Sequence, residues 1–321
     1  MPEPSPTRRR RGRLLRIGAA FVVLLAVAGY LAVQYITGGA GSPGCRVASA
    51  DDDGATYEFT PEQAVNAATI TAVGTARGLP ERAVTIALAT ALQESALRNI
   101  GHGDRDSLGL FQQRPSQGWG TEEQIMDPIY SAGMFYDHLV KVPGYTRLPL
   151  TVAAQRVQRS GFPQAYAKHE PDATLLAAAL TGRAAATLTC EGRPGATPTA
   201  GPDAARSALV RDFGQNAVQQ AGAEVGAATP TPTPTLVTET SGRTVTVPVT
   251  EDGDGRGVRE RGWQIAHWAV ANASALRIER VLYGGREWVA GHTDSRWRNA
   301  TNAERTGSTD AANAVRIVTA Q

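Results

Sequence analysis

The sequence contains few residues of the kinds that bind metal ions, and this shortage argues against metal-dependent chemistry. Its 321 residues include only two cysteines and five histidines, with no adjacent pair of histidines. A zinc centre needs three or four Cys, His or carboxylate ligands in convergent geometry. We therefore expect no metal ion and no other cofactor.

Excess charge of one sign is also scarce, except at the start of the chain. The net charge is +2, and residues 1–16 contribute six Arg and one Glu, or +5, so the remainder carries +2 minus +5, or −3. Proteins that bind nucleic acid need a basic face. We expect no nucleic-acid partner, and the sequence does not identify a protein partner.

The chain has one long apolar run, residues 17–36, interrupted only by Gln34. About 20 apolar residues span a bilayer as a helix, and arginines that precede such a run stay cytoplasmic. We therefore predict a single-pass protein of the cell membrane whose C-terminal part is extracellular. The alternative is a cleavable signal peptide with its site near residues 38–40. Either way, the chain after residue 37 is exported.

Because this part of the chain is exported, its two cysteines are expected to lie in an oxidising compartment. Cys45 and Cys190 bracket the first large segment of the exported chain. An even number of cysteines in an oxidising compartment predicts a disulfide, and the alternative is two unpaired thiols.

Changes in composition along the chain predict its domains. The fold class is α+β overall, with a transmembrane helix, a mostly α domain and a small C-terminal α/β domain. The predicted segments are a cytoplasmic Arg-rich tail (1–16), the transmembrane helix (17–36), a tether (37–57), the mostly α domain (58–190), a linker with a Thr-Pro run (191–235) and the α/β domain (236–321). A helix predicted over 204–220 belongs either to the linker or to the last domain.

Local patterns predict the individual elements. Thr60 and Gln63 form a capping box at the start of a helix that runs to about residue 77. Alternating apolar residues predict no strand before residue 230. The other predicted helices lie at 84–95, 121–140, 150–159, 171–187 and 263–276, and the predicted strands at 244–249, 277–283 and 314–319.

Glu94 is the candidate catalytic residue. It lies at the flank of an apolar helical stripe, beside the small side chains of Ala87 and Ala91. Small neighbours leave room for a cleft, and partial loss of water raises the pKa of a carboxyl, which can then act as a general acid. The alternative is a solvated glutamate in the last turn of an ordinary helix.

Three motifs extend this hypothesis. Glu94-Ser95, Ser107–Pro115 with its central Gly-Leu-Phe-Gln, and Asp127–Tyr136 resemble the lysozyme-like domain of soluble lytic transglycosylases. The resemblance covers about residues 58–190. It implies cleavage of the MurNAc-GlcNAc strands of peptidoglycan, with attack by the muramyl 6-hydroxyl and a 1,6-anhydro product.

The same resemblance assigns roles to individual residues. Glu94 is implied to be the single acid and base, and no second carboxylate is needed. The implied substrate contacts are Ser95, Gln112, Gln113, Gln158 and Trp119. The family's later Ala-Tyr-Asn-Ala-Gly segment corresponds to residues 156–160, so its tyrosine is missing and Gln158 stands in place of its asparagine. Asp104 and Asp106 are either a second carboxylate across a cleft or part of a solvated turn.

The C-terminal part contains Gly242-Arg243, Trp263–Trp268, Asn272 and Gly285–Trp288. With these residues it resembles, more weakly, the α/β domain appended to actinobacterial cell-wall hydrolases. Zinc-dependent relatives carry His and Asp where this chain has Glu239 and Thr246, and no histidine follows His292. We expect a metal-free, non-catalytic module that the Thr-Pro run holds away from the helical domain. Its tryptophans are more typical of a core than of sugar stacking. They are Trp263, Trp268, Trp288 and Trp297.

Two functions remain open. The first is a membrane-anchored enzyme that cleaves peptidoglycan glycan strands. The second is a non-catalytic wall-binding or scaffold protein on the same fold, which the missing tyrosine and the degenerate C-terminal domain favour.

Overall fold

The computed structural model describes eight stretches of the chain. These are residues 44–51, 53–160, 163–192, 201–214, 242–249, 257–291, 296–301 and 314–320. The chain divides into two compact units, Met1–Ser42 and Pro43–Gln321, and all described residues lie in the second. The Thr-Pro run, residues 229–235, lies outside the described residues.

Helices and two antiparallel sheets make up this unit, so the α+β composition is as predicted. The helices are α1 (Pro61–Ala76), α2 (Glu81–Ser95), α3 (Glu122–Ile125), α4 (Pro128–Leu139), α5 (Leu150–Gln158), α6 (Glu170–Leu180), α7 (Pro202–Phe213), α8 (Val258–Ala271) and α9 (Ala273–Leu276), with 3-10 turns at Pro115–Gln117 and Pro163–His169. The strands are β1 (Cys45–Ala48), β2 (Thr56–Phe59), β3 (Leu188–Cys190), β4 (Thr244–Pro248), β5 (Ile278–Tyr283), β6 (Arg286–Val289), β7 (Arg298–Asn299) and β8 (Ala314–Thr319).

The prediction of a membrane-spanning helix is corrected. In the described stretches, no helix is both long enough and apolar enough to cross a bilayer. The longest, α1 and α2, have 16 and 15 residues and bury their apolar side chains within the protein. The predicted span itself, residues 17–36, lies outside the described residues. The predicted localisation as a single-pass membrane protein depended on a membrane-spanning helix, and it is also corrected.

A three-stranded sheet of order β2-β1-β3 corrects the expectation that no strand precedes residue 230. Its strands are only three or four residues long, too short for an alternating pattern to be recognised in the sequence. Cys45 lies opposite Cys190 in the β1–β3 pair, and the two form the predicted disulfide. Residues 45–48, predicted as part of a tether, are therefore fixed in a sheet.

The helical core agrees closely with the sequence patterns. The Thr60–Gln63 capping box is present at the start of α1. The helix predicted over 121–140 is two helices, because Asp127 caps a new helix that has Pro128 at its first position. The helix predicted over 171–187 ends at Leu180. A turn follows in which Gly182 (φ +86°) lies so close to the backbone of Glu260 that a β-carbon would clash.

The second sheet has the order β4-β8-β5-β6-β7, and all of its pairs are antiparallel. The strands predicted at 244–249, 277–283 and 314–319 are confirmed as β4, β5 and β8, whereas β6 and β7 were not predicted. The helix predicted over 263–276 begins earlier, at Val258, and is interrupted at Asn272.

Helix α8 packs directly against the helical core, which corrects the expectation that the C-terminal part is held away from it. Gln264 donates to the Thr75 hydroxyl at 2.6 Å. The Nδ1 of His267 lies 2.7 Å from the Ala179 carbonyl oxygen. The division of residues 43–321 into separate domains stays a prediction.

Candidate active site

Glu94 lies in the last turn of α2, one residue before its end. The chain turns away from the helix axis directly after it, because Ala96 (φ 53°) and Leu97 (φ 58°) both adopt the left-handed conformation. The Glu94 side chain is half-buried, while Ala91, three residues earlier, is fully buried. The carboxyl group is thus partly withdrawn from water at the end of a rigid helix.

Tyr166 is a direct hydrogen-bond partner of this carboxyl group. Its hydroxyl donates a hydrogen bond of 2.7 Å to Oε1 of Glu94, and the residue is fully buried. It lies in the 3-10 turn Pro163–His169, a few residues after the segment 156–160 that corresponds to the family's Ala-Tyr-Asn-Ala-Gly. A tyrosine therefore contacts Glu94, although residues 156–160 contain none. The available signal was a tyrosine between two alanines, residues 165 and 167, shortly after α5.

Gln158 also lies beside Glu94, and the substrate contact that the resemblance implied for it stays a prediction. It is the last residue of α5. Its Nε2 donates to the Phe111 carbonyl oxygen at 2.7 Å, and its side chain also hydrogen bonds to Glu94. One amide therefore connects the acid on α2 with the Gly-containing turn.

The surroundings of Glu94 act on its protonation in opposite directions. Burial raises the pKa of Glu94 because it disfavours the charged carboxylate, and this effect is the largest. Hydrogen bonds from Tyr166 and Gln158 favour the carboxylate and lower the pKa, but the net shift is upward. The pKa of Tyr166 is also raised, first by burial and then by the negative charge of Glu94. Tyr166 therefore remains a neutral hydrogen-bond donor.

Ser95 fixes the turn against α2. Its hydroxyl is buried and bonds to two carbonyl oxygens, those of Ala91 at 3.1 Å and Leu110 at 2.8 Å. Gly109 (φ +75°) permits the tight turn, and a β-carbon there would lie 2.7 Å from the Ile125 carbonyl oxygen. The structure thus gives Ser95 a positioning role, and direct contact with substrate stays a prediction.

Gln112 and Gln113, beside the Gly109 turn, differ in burial and in hydrogen-bond partners. Gln112 is half-buried, and its Nε2 donates to the Gly109 carbonyl oxygen at 3.2 Å. Gln113 is 1% exposed, and its Nε2 donates to the Ser131 carbonyl oxygen at 2.9 Å. Gln112 therefore remains the better candidate for a substrate contact, whereas Gln113 joins the turn to α4.

Trp119 lies on the surface of α4. Its ring packs on the His138 ring with centroids 4.3 Å apart, and the residue is half-exposed. Phe111, in the turn, stacks on Phe135 of the same helix at 4.7 Å. Helix α4 therefore positions both aromatic groups. Sugar stacking by the half-exposed indole stays a prediction.

Asp104 and Asp106, in the loop that precedes the Gly109 turn, lie in different environments. Asp106 forms an ion pair with Arg114 at 2.7 Å and accepts a hydrogen bond from the Ser116 backbone at 2.9 Å. The hydrogen bonds from Ser116, followed by that from Arg114, lower the pKa of the Asp106 carboxyl. Asp104 is exposed. Asp106 therefore fixes the loop that precedes the turn.

The C-terminal part presents no cluster of metal ligands in the described residues, where no three His, Cys, Asp or Glu side chains come together. His267 is buried at the helix interface, and Glu239 and His292 lie outside the described residues. The expected absence of a metal stays a prediction. The four tryptophans are buried in the core, as their sequence context favoured.

Comparison with known families gives one match. The family described as VldE, C-terminal domain, matches residues 205–313, which is less than half of the chain. The match begins within α7 and ends just before β8, so it groups α7 with the C-terminal sheet. No curated protein matches the chain. The helical part that carries Glu94 lies outside the matched residues.

Proposed function

We propose that this protein cleaves peptidoglycan glycan strands, with Glu94 as the single acid and base of a lysozyme-like, lytic transglycosylase site. The observation that carries the proposal is the arrangement around one carboxyl group. Glu94 has a raised pKa and is held by the Tyr166 hydroxyl and the Gln158 amide, which is also bonded to the Gly-containing turn.

In the first step, the protonated Glu94 donates its proton to the glycosidic oxygen, and the bond from that oxygen to C1 breaks. A raised pKa favours this step because it keeps the carboxyl protonated at higher pH. The carboxylate that forms is stabilised by the hydrogen bonds from Tyr166 and Gln158.

In the second step, the 6-hydroxyl of the same muramyl residue attacks C1 and transfers its proton to Glu94. A 1,6-anhydro ring forms, and Glu94 returns to its protonated state. This sequence needs no second carboxylate, which suits a loop in which Asp106 is paired with Arg114. Water in place of the 6-hydroxyl would give hydrolysis by the same acid.

The test is digestion of purified peptidoglycan by the purified chain, with the soluble products analysed by mass spectrometry. Anhydro products are lighter by one water molecule than hydrolytic products. Glu94→Gln keeps the shape of the side chain but cannot donate a comparable proton, so we expect cleavage to fall by about 10²–10⁴-fold. Glu123→Gln, at an exposed position of α3, is the matched control and should retain full activity.

Two results would contradict the proposal. Full activity in Glu94→Gln would remove Glu94 from its role. A folded wild-type protein that sediments with peptidoglycan but releases no fragment would identify a non-catalytic wall-binding protein instead.

A further inference from the structure

A cavity lies over the outer face of the three-stranded sheet β2-β1-β3. Side chains alternate between the two faces of a strand, and β1 buries Cys45 and Val47 in the core. Arg46, between them, therefore lies on the outer face, where it is exposed. It stands directly opposite Glu58 of β2 and Thr189 of β3. The floor of the cavity thus carries a carboxylate, a guanidinium and a hydroxyl group on three adjacent strands.

The C-terminal part supplies one wall of the cavity, which is formed by Arg296 and Trp297. The Trp297 indole nitrogen donates to the Leu188 carbonyl oxygen at 2.8 Å, and this bond fixes the wall against β3. The cavity has a volume of about 780 Å³, within the range of roughly 300–1,000 Å³ that is usual for the sites of small ligands. None of its lining residues belongs to the Glu94 site.

Four charged side chains line this cavity, and their charges balance. Arg46 and Arg296 contribute +2, and Glu58 and Glu191 contribute −2, so the net charge is zero. Across the described stretches of the chain, none of these four side chains forms an ion pair. Arg46 and Glu58 are unpaired although opposite charges at directly opposed strand positions attract each other. Both signs of charge are therefore available to a ligand, and a ligand that carries both signs fits best.

We propose that this cavity binds a short peptide that carries both a free ammonium group and a free carboxylate. The Arg46 guanidinium donates two parallel N–H groups to the peptide carboxylate, a geometry to which arginine is suited. The Glu58 carboxylate accepts hydrogen bonds from the peptide ammonium group. Phe59 and Trp297, which also line the cavity, offer apolar surface to small side chains. Peptide binding here does not depend on glycan cleavage at Glu94.

Trialanine is the probe, because it has one ammonium group, one carboxylate and only small side chains. Three extended residues span about 10 Å, which is roughly the distance from β2 to β3 across β1. Titration into the full chain, followed by the backbone amide NMR signals of Arg46 and Thr189, gives the Kd. N-acetyl-trialanine lacks the ammonium group, and trialanine amide lacks the carboxylate. We expect each of them to bind about tenfold more weakly than trialanine, the effect of one lost hydrogen bond to a charged group.

Two variants separate the two ends of the peptide. Glu58→Gln should weaken trialanine binding about tenfold and remove the preference over N-acetyl-trialanine, while the preference over trialanine amide remains. Arg46→Gln should have the opposite pattern, because it removes the partner of the carboxylate. Glu62→Gln and Arg147→Gln, at exposed positions outside the cavity, are the matched controls and should keep the wild-type Kd for all three peptides.

A wild-type chain that binds the three peptides equally, or binds none of them, would overturn the proposal. The same holds if both preferences persist in folded Glu58→Gln and Arg46→Gln proteins, whose amide spectra report whether the fold is retained. Loss of both preferences together in each variant would show that Arg46 and Glu58 do not recognise separate ends of the peptide, and it would also contradict the assignment.

Discussion

The hydroxyl of Tyr166 lies 2.7 Å from Oε1 of Glu94, across 72 residues of sequence, and donates a hydrogen bond to that carboxyl group. Burial of Glu94 disfavours its charge, whereas this hydrogen bond favours it. An acid that must donate a proton and then accept one benefits from both effects, because neither of its protonation states is then strongly disfavoured.

Tyr166→Phe should reduce glycan cleavage roughly 10–100-fold, the range for a lost hydrogen bond to a charged group. It should also extend activity to higher pH. The hydrogen bond lowers the pKa of Glu94, so its removal raises that pKa, and the acid stays protonated further up the pH scale. The measurement is the pH–rate profile. Tyr145→Phe, which removes a hydroxyl elsewhere, should leave the profile unchanged, and an unchanged profile in Tyr166→Phe would contradict the assignment.

The sequence predicted the parts of this site that depend on neighbouring residues. The α2 helix, the Gly109 turn and the Thr60 capping box all follow from patterns within a few residues. Tyr166 was missed because its partner is distant in sequence and because the resemblance directed attention to residues 156–160. Strands β1 and β3 were missed for a related reason: the residues that define their pairing, Cys45 and Cys190, are 145 positions apart.

The Cys45–Cys190 disulfide should be a main source of stability for this unit. It joins directly opposed residues of β1 and β3 and closes a loop that contains α1 to α6. Loss of such a bond costs about 2–5 kcal/mol in small domains, on the model in which it restricts the unfolded chain. The chain has only two cysteines, so a reductant acts on this bond alone. Urea unfolding with and without dithiothreitol measures the difference, and coincident curves would contradict the prediction.

The outer edge of β3 is bonded to tryptophan side chains. The Trp297 indole nitrogen donates to the Leu188 carbonyl oxygen at 2.8 Å, and that of Trp288 donates to the Cys190 carbonyl oxygen at 3.2 Å. These contacts connect the two sheets, and the sequence could not show them because an indole gives no sign of which distant carbonyl it will reach.

Trp297→Phe should lower the free energy of unfolding by about 1–3 kcal/mol beyond the effect of the smaller ring, because a buried carbonyl loses its donor. Trp263→Phe is the control for ring size. Trp263 is also buried, and within the described residues its indole nitrogen forms no hydrogen bond. Chemical denaturation of both variants gives the comparison, and equal destabilisation would show that the hydrogen bond contributes nothing.

His267 should make the protein sensitive to mild acid. It is completely buried, its Nδ1 lies 2.7 Å from the Ala179 carbonyl oxygen, and its Nε2 has no partner in the described residues. Burial lowers the pKa of His267 from 6.5 to about 4, against a smaller opposing effect of the Ala179 hydrogen bond. The folded state therefore resists protonation, whereas the unfolded chain takes up a proton near the ordinary pKa.

Neutral His267 contributes its full stabilisation at pH values above the pKa that it has in the unfolded chain. This contribution is lost as the pH falls from about 6.5 towards 4. The lowering of the His267 pKa from 6.5 to about 4 corresponds to at most about 3–4 kcal/mol. Glutamine has no charge to acquire and can still donate to the Ala179 oxygen, so His267→Gln should remove this part of the pH dependence. Free energies of unfolding at pH 7.5 and pH 4.5 test it, with His138→Gln as a control at a half-buried histidine. If His267→Gln loses as much stability between these pH values as the wild type, the sensitivity to acid arises elsewhere.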